Sequence, residues 1–379
     1  MSLLTQLSTM KPPQIGDLIA QIDTPSMIVD LDLMESNIHK LMTKLLPTGR
    51  DIRPHLKTTK SAILAAKLVQ AGAKGGCVAK VSEAEAIAAA GFTDLHITSP
   101  IVGPVKVARL VELFDKYREI RIVVDSEAGA AAINDALESS GIEEPILTLI
   151  DVDVGLHRTG VKPGEAAMKL VRFVGGLKQL KIVGVQGYEG HLQHLHDARE
   201  REAQCLESMR ILTETAEAFR QAGFCMDVVT TGGTGTAETC ASVPGVTELQ
   251  PGSFIFMDTD YRNAVGTFYA NSLTILSTVI SVQGPRAVTI DAGLKSLSTD
   301  SGMSECRDSR YKYHEFGDEQ GSLKWEDEGG SVPALAVGDR VEIIPSHIDP
   351  TVNLHDVYYA HRKGVIEEIW SVDSRGKVQ

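Results

Sequence analysis

The sequence predicts an α/β protein in which a (β/α)8 TIM-type barrel is followed by a C-terminal antiparallel β domain. From about Met27 to about Asp258, short β-branched runs alternate with longer helical patterns, as in βα units built around a parallel sheet. After about Tyr261, short apolar runs are separated by Gly- and Asp-rich breaks with no long helix between them. Such runs are typical of antiparallel β structure.

Eight apolar runs are the candidate barrel strands, and helical patterns over 105–117 and 198–222 stand between them. The runs are 27–30, 52–55, 76–79, 95–98, 120–124, 146–150, 182–185 and 226–229. A doubly wound open sheet shows the same alternation of strands and helices, but it would place a Gly-rich turn after the first strand. Here the Gly-rich turn, 231–236, follows the last predicted strand, where barrels often hold a phosphate. The barrel is therefore favoured.

The second domain is predicted from four apolar runs, 272–280, 287–290, 340–344 and 365–370, with an acidic, Gly-rich exposed loop over 318–330. The expected organisation is an N-terminal segment 1–25 that joins the β domain, a barrel over 26–260 and the β domain over 261–379.

Composition limits the class of function. Hydrophobic content of 43% and charged content of 23% are ordinary for a soluble globular protein, and no apolar run is long enough to cross a bilayer. A net charge of −13 without a basic stripe argues against a nucleic-acid partner. Five cysteines without a CxxC pair indicate free thiols, and the first residues lack a secretory signal pattern. We expect a cytoplasmic enzyme with no membrane span.

Lys57 is the first candidate catalytic residue, because Arg53-Pro54-His55-Leu56-Lys57 places it between a predicted strand and a helical segment. A primary amine fixed there can form a Schiff base, since burial or a neighbouring cation readily lowers the pKa of a lysine. Taken alone, Lys57 is more often a solvated surface charge.

The Gly-rich turn Thr231-Gly232-Gly233-Thr234-Gly235-Thr236 is a candidate phosphate site. Its glycines let backbone N–H groups approach an anion, and its hydroxyls add donors. The alternative is a strand-to-helix turn that needs glycine only for its sharp geometry.

Two further sets of polar residues follow predicted strands. Arg158 lies just past a strand end and could hold a phenolate or carboxylate, although a surface salt bridge is the alternative. Tyr188 and His194 follow the next strand, in a loop with three histidines of which only one need be functional.

His347 and Asp349 are candidate metal ligands. Residues two apart in an extended segment point to the same side, so the imidazole and the carboxylate could share one divalent cation. A hydrogen-bonded loop pair is the alternative for this short pattern.

The motifs that contain these residues resemble the D-threonine aldolase and D-serine dehydratase family, pyridoxal-phosphate enzymes of the alanine-racemase-like fold. The resemblance runs from about residue 22 through the rest of the chain, and it is closest to the aldolases. It is carried by the segments 53–57, 188–194, 232–235, 247–253, 291–295 and 345–356.

The resemblance implies roles for the candidate residues. Lys57 would form the Schiff base, Arg158 would contact the phenolic oxygen of the cofactor, and His194 would lie near the substrate. A divalent metal, manganese, zinc or magnesium, would be bound by His347 and Asp349. Gly233, Thr234 and Gly235 would hold the phosphate, and the matching motifs complete the cofactor site with Tyr188, Thr231, Gly232, Gln250, Gly252 and Ser253. The family is dimeric, so a homodimer is expected, with the β domain of one subunit closing the barrel mouth of the other.

The implied reaction is cleavage of a D-3-hydroxy amino acid to glycine and an aldehyde. The main alternative is a dehydratase of the D-serine or D-threo-3-hydroxyaspartate type, which gives a 2-oxo acid and ammonia. Asp349 favours the aldolase, because dehydratases of the eukaryotic D-serine type tend to carry Cys there. Racemisation has no use for a metal, and a non-catalytic cofactor carrier has no need of one.

Three departures from the family pattern leave the cofactor residues intact, but they bear on the substrate pocket and on which reaction the resemblance implies. They are Thr59 in place of a histidine, Ala79 in place of a glutamine, and Thr98-Ser99-Pro100 in place of a commoner Asn-Glu pair.

Overall fold

A computed structural model describes residues 12–325 and 335–379. These residues form two compact units. The barrel unit consists of Ser36–Ala270 and Asp373–Gln379. The β unit consists of the described residues up to Glu35 and those within Asn271–Val372.

The described residues contain seventeen strands and ten α-helices. The strands are β1 (Ser26–Asp30), β2 (Asp51–Ile52), β3 (Gly76–Val78), β4 (Leu95–Ile97), β5 (Ile120–Val124), β6 (Ile146–Asp151), β7 (Leu180–Gln186), β8 (Val228–Thr231), β9 (Glu248–Leu249), β10 (Leu273–Val282), β11 (Ala287–Ile290), β12 (Glu305–Cys306), β13 (Tyr311–Glu315), β14 (Gly321–Trp325), β15 (Arg340–Ile344), β16 (Val357–Arg362) and β17 (Val365–Ser371). The helices are α1 (Leu31–Leu45), α2 (Ala62–Gln70), α3 (Val81–Ala89), α4 (Pro104–Lys116), α5 (Glu127–Ser140), α6 (Glu165–Gly175), α7 (Ala198–Gln221), α8 (Ala237–Ser242), α9 (Thr259–Val265) and α10 (Ile348–Val352).

The barrel unit is built on eight parallel strands in the order β2-β9-β8-β7-β6-β5-β4-β3. The two ends of this sheet are joined, because the Cys77 N–H donates to the Pro54 carbonyl at 2.8 Å and the Leu56 N–H donates to the Cys77 carbonyl at 2.7 Å. Every residue of Ile120–Val124 is buried, as expected for a parallel strand covered on both faces. The predicted barrel is confirmed.

One strand assignment in the barrel was wrong, and one barrel strand was missed. The run 27–30, predicted as the first barrel strand, lies in β1, which pairs antiparallel with β10 and parallel with β16 in the β unit. The eighth barrel strand is β9, Glu248–Leu249, which is two residues long and begins with a buried carboxylate. Its sequence therefore gives no apolar run to detect. The Gly-rich turn follows the seventh barrel strand, not the last one.

The β unit contains a nine-stranded sheet whose main path is β13-β14-β11-β10-β1-β16-β17, with β15 joined to β10 and β12 joined to β15. All of its strand pairs are antiparallel except β1–β16. The four predicted runs form β10, β11, β15 and β17. The antiparallel domain is confirmed, with one parallel pair that the sequence did not indicate.

The loop predicted over 318–330 is wrong in part. Gly321–Trp325 forms β14, which pairs with β11 and β13, because Leu323 and Trp325 supply buried apolar side chains. Residues 326–330 lie outside the described part of the chain.

The described part of the N-terminal segment, 12–25, makes backbone bonds to β17. The Gly16 N–H donates to the Ile366 carbonyl at 2.8 Å, and the Ile366 N–H donates to the Asp17 carbonyl at 2.9 Å. Residues 1–11 lie outside the described part of the chain.

The two predicted helices are confirmed as α4 and α7. Asp197 caps α7, since its side chain accepts hydrogen bonds from the N–H groups of Arg199 and Glu200 at 2.9 and 3.0 Å.

Within the described residues, no helix combines the length and the apolar character needed to cross a bilayer.

Candidate active site

Lys57 lies in the turn that follows β2, beyond the carboxyl end of the strand, and its side chain is exposed. The Lys57 N–H donates to Nδ1 of His55 at 3.3 Å, and Nε2 of His55 lies 3.1 Å from Oγ1 of Thr98. These bonds connect the turn to the end of β4. The lysine therefore stands at the end of the barrel where active sites are built.

A buried ion pair fixes the chain just after Lys57. Nζ of Lys60 donates to Oε1 of Glu83 at 2.6 Å and to the Ser374 carbonyl at 3.3 Å. Lys60 has a φ of 48°, in the left-handed region that non-glycine residues rarely adopt. The turn that carries Lys57 is therefore held in one conformation by contacts within the barrel unit.

A polar network fills the barrel near the same end. Nε2 of Gln186 donates to Oδ1 of Asp151 and to the Thr98 carbonyl, both at 2.9 Å, and Oε1 of Gln186 lies 3.0 Å from Nε2 of His96. Burial raises the pKa of Asp151 to about 6, against the lowering effect of hydrogen bonds from Gln186 and Thr159. The Asp151 carboxyl group therefore keeps its proton to a higher pH than an exposed aspartate does.

Arg158 and Tyr188 are brought together at a small pocket that Asp151 also lines. The guanidinium carbon of Arg158 lies 5.5 Å from the centre of the Tyr188 ring, a cation–π contact. Arg158 is exposed, so its cation can face a bound anion. The two residues were predicted separately from two strand ends, and the fold joins them.

The Gly-rich turn 232–236 uses most of its own N–H groups inside the protein. The Gly233 N–H donates to Oγ1 of Thr236 at 3.1 Å, and the Gly235 N–H donates to Oε1 of Gln193 at 2.9 Å. The Gly232 N–H donates to Oε2 of Glu189 at 3.3 Å. No acceptor in the described part of the chain forms a hydrogen bond with the Thr234 N–H. A Cβ at 233 would lie 2.5 Å from Oε1 of Gln193, so a side chain there would displace the Gln193 amide.

The segment 250–253 lies beside this turn. The Phe254 N–H donates to Oγ1 of Thr234 at 3.0 Å, and no described side chain caps the short 3-10 helix that begins at Ser253. A Cβ on Gly252 would lie 3.0 Å from Oγ1 of Thr58, so this backbone approaches the Lys57 turn closely. Gln250 is buried, and its Nε2 donates to Oγ1 of Thr230 at 2.8 Å.

His194 is oriented by two residues that the sequence did not single out. Its Nδ1 lies 3.0 Å from Oδ2 of Asp260, and its ring centre lies 4.4 Å from that of Tyr261. The pattern Asp258-Thr259-Asp260 is a helix start, in which Asp258 caps α9, and this signal could have located Asp260. A carboxylate on Nδ1 presents Nε2 of the ring for proton transfer.

The candidate metal residues lie in the β unit, and their backbone differs from the prediction. His347 is the extended N-cap of α10, but Asp349 is inside that helix, so the extended-segment argument does not apply. Nδ1 of His347 lies 2.7 Å from Oδ2 of Asp300, which the sequence analysis missed. A carboxylate on one ring nitrogen is the usual support for a metal-binding histidine.

The residues present fit the groups that the sequence implies. An exposed lysine past one strand end, an exposed arginine past another strand end of the same unit, and a Gly-rich turn whose Thr234 N–H has no acceptor among the described residues suit pyridoxal phosphate. Imidazole and carboxylate, the side chains of His347 and Asp349, are groups that bind divalent metals. Within the described residues, no group of three or more His, Cys, Asp or Glu side chains is arranged to hold a metal ion.

Comparison with known proteins shows the family of this chain. The family model for the alanine racemase N-terminal domain matches residues 29–260, and a serine dehydratase domain matches residues 272–361. A D-threonine aldolase of an Arthrobacter species is 37% identical over 96% of both chains. The chain belongs to the D-threonine aldolase and D-serine dehydratase family. Like its aldolase relatives it is a lyase with the alanine-racemase-like fold, and pyridoxal phosphate is the cofactor that this family implies.

Two solved structures of this family are similar to the chain along nearly its whole length. The D-threonine aldolase from Filomicrobium marinum superimposes with a TM-score of 0.92 at 32% identity, covering 97% of this chain and 100% of that one. A variant of D-threo-3-hydroxyaspartate dehydratase in its metal-free form has a TM-score of 0.85 at 27% identity, with coverages of 94% and 98%. The family therefore includes both cleavage and dehydration.

Proposed function

We propose that this chain is an aldolase that cleaves D-3-hydroxy amino acids to glycine and an aldehyde, with pyridoxal phosphate and a divalent metal. The observation that carries the proposal is the 37% identity to a D-threonine aldolase across 96% of both chains. The presence of Asp349 supports cleavage over dehydration, as the motif comparison implied.

Three residues of the barrel unit would bind and orient the cofactor. Lys57 would supply the amine that binds the aldehyde, and the exposed guanidinium of Arg158 would bind the phenolic oxygen. Thr234 would contact the phosphate through its N–H. When bound, pyridoxal phosphate supplies an electron sink for the charge left at Cα after bond cleavage.

His194 would hold the proton of the substrate. With Asp260 on Nδ1, its Nε2 is suited to take the proton of the β-hydroxyl group, which cleavage of the Cα–Cβ bond requires. His347 and Asp349 would hold the metal, and a bound divalent cation supplies Lewis-acid polarisation of a hydroxyl group.

Product analysis tests the proposal. Incubation of the protein with D-threonine, pyridoxal phosphate and Mn²⁺ is expected to give glycine and acetaldehyde. Formation of 2-oxobutanoate and ammonia would instead support a dehydratase. This second candidate function is favoured by the similarity to the solved D-threo-3-hydroxyaspartate dehydratase. A parallel series with D-allothreonine, D-serine and 3-hydroxy-D-aspartate would define the preferred side chain.

Substitution tests the assignment of the lysine. Lys57→Ala is expected to abolish turnover and the visible absorption that pyridoxal phosphate gains when bound to a lysine. Lys74→Ala is the control, because Lys74 is exposed in the loop before β3 and its backbone N–H donates to the Ile52 carbonyl at 2.8 Å. Retention of the visible band by Lys57→Ala would overturn the assignment.

The expected homodimer and cytoplasmic location stay predictions. Sedimentation equilibrium with and without the cofactor would measure the oligomeric state, and a monomer at all concentrations would contradict the first.

A further inference from the structure

Glu189 lies behind the Gly-rich turn and is fully buried. Its Oε2 accepts hydrogen bonds from the Thr231 hydroxyl at 2.8 Å and the Gly232 N–H at 3.3 Å. Its Oε1 accepts from the Thr236 hydroxyl at 2.5 Å and from Nε2 of Gln193 at 3.2 Å. One carboxylate therefore binds both ends of the turn and the loop that packs on it.

The partners of Glu189 are all neutral. Among the described residues, no Lys, Arg or His forms an ion pair with it. A buried carboxylate without a cation is costly, and several hydrogen bonds are needed to offset the loss of water. A neutral side chain could stabilise this turn at a smaller desolvation cost. The presence of a buried carboxylate therefore indicates a specific function.

The task can be read from the bonds. The Thr236 hydroxyl donates to Glu189 and at the same time accepts the Gly233 N–H at 3.1 Å, so the carboxylate fixes the direction of two N–H groups of the turn. Gln193 accepts the Gly235 N–H at 2.9 Å. With these N–H groups turned inward, the Thr234 N–H is the one in 232–236 that lacks an acceptor among the described residues.

We propose that Glu189 is a positioning residue, which holds the Gly-rich turn in the conformation that binds the phosphate of the cofactor. This inference rests on the proposed function, since it requires that the turn binds the phosphate of pyridoxal phosphate. Glu189 acts through Gly232, Thr236 and Gly233, and it does not itself touch the cofactor.

Glutamine at 189 tests the proposal because it keeps the size and loses acceptor capacity. The Gly232 N–H can only donate, so the side-chain oxygen of Gln at 189 must face it. The side-chain NH₂ group of that glutamine must then face Thr236 and Gln193. The NH₂ group then opposes Nε2 of Gln193, and it faces a Thr236 hydroxyl whose two acceptor positions are already taken by the Gly233 N–H and by Nε2 of Gln193. The bond from Thr236 to Gly233 is therefore weakened.

The readout is the affinity of the apoprotein for pyridoxal phosphate and for pyridoxal, which lacks the phosphate. Both are measured by titration of visible absorbance. We expect Glu189→Gln to weaken binding of pyridoxal phosphate by about tenfold or more, the loss typical of a broken hydrogen bond to a charged group. Binding of pyridoxal should change by less than about twofold, since it makes no phosphate contact.

Thr236→Val is the second variant, because it removes the hydroxyl that links Glu189 to Gly233 without burying a new polar group. It should show the same selective loss, and Thr236→Ser should restore it. Thr215→Val is the matched control, since the Thr215 hydroxyl is buried and, among the described residues, donates only to the Ile211 carbonyl in α7. It should leave both affinities unchanged.

The outcomes separate the two proposals. If the wild-type protein binds neither compound, or binds both equally, the proposed cofactor role fails. If the wild-type protein prefers pyridoxal phosphate and Thr236→Val keeps that preference, the role of Glu189 fails. Equal weakening of both ligands in Glu189→Gln and Thr236→Val would show a general structural role and would also overturn the inference.

Discussion

Glu248→Gln is the substitution with the clearest expected effect on the stability of the barrel. Glu248 is buried inside the barrel between two arginines. Its Oε2 accepts from Nε of Arg53 at 3.0 Å, and both of its oxygens accept from Arg121 at 2.5 Å. Arg53 keeps a second carboxylate, Asp94, at 2.6 Å. Arg121 would therefore lose its charge partner, and its Nε already lacks an acceptor among the described residues.

Two arguments give the same magnitude. Breaking a buried ion pair from one side costs about 3–5 kcal/mol, because the remaining charge is left without a partner. Burial alone would raise the pKa of Glu248, but Arg121 and Arg53 outweigh it and lower the pKa from 4.5 to about 2. This difference corresponds to about 3 kcal/mol of stability. That contribution is complete above pH 4.5 and is lost as the pH falls toward 2.

Urea unfolding followed by far-ultraviolet circular dichroism is the appropriate assay. Both tryptophans, Trp325 and Trp370, lie in the β unit, so fluorescence would not report on the barrel. The pair Arg210–Glu214 is a matched control, since its N–O distance is 2.6 Å but both side chains are more than half exposed. Glu214→Gln should leave the unfolding curve nearly unchanged.

A double variant tests the cause of the loss. Arg121→Met in the background of Glu248→Gln removes the stranded charge, and it should recover a large part of the lost stability. The reasoning is refuted if Glu248→Gln costs no more than Glu214→Gln, or if the double variant is no more stable than Glu248→Gln alone.

Three other predictions concern the barrel and the metal residues. Because burial raises the pKa of Asp151 from 3.8 to about 6, the folded state holds its proton more tightly than the unfolded chain, and stability from this group falls as the pH rises from 4 to 6. Asp151→Asn should therefore stabilise the protein at pH 8 and have less effect at pH 4, as measured by urea unfolding; an equal effect at both values would contradict it. Gly184→Ala should reduce the unfolding free energy by roughly 3 kcal/mol or more or prevent folding, because its Cβ would lie 1.8 Å from the Val228 carbonyl oxygen; normal urea unfolding would contradict this. Exhaustive chelation should abolish turnover of D-threonine, and Mn²⁺ should restore it in the wild-type protein but not in His347→Ala; turnover that survives chelation would end the metal proposal.

The fold was largely predictable because its main signal is the alternation of apolar runs with helices. Parallel strands buried on both faces, such as Ile120–Val124, are visible as continuous apolar segments. Glu248–Leu249 was missed because pairing with two neighbouring strands, and not its own composition, makes it a strand. The run 27–30 was placed in the wrong sheet, since an apolar strand does not encode which partner it will pair with.

The candidate site was predictable where motifs carry the residues and not where tertiary contacts do. Lys57 and the Gly-rich turn stand out by position in the sequence. Glu189 stood within a motif that was recognised, yet its role depends on bonds to Thr231 and Thr236 that only the folded chain reveals. Asp300 lies far from His347 in sequence, and no local pattern connects them.

The pairing of β1 with β10 and β16 affects how the protein emerges from the ribosome. All eight strands of the barrel are synthesised before either partner of β1 exists, so the barrel can close while Met27, Ile28 and Val29 still lack their neighbours. An apolar strand that is still unpaired in a nascent chain can pair wrongly with other molecules. Yield in a heterologous host should therefore depend on chaperone supply during translation of the last hundred or so residues, more than on the intrinsic stability of the finished barrel.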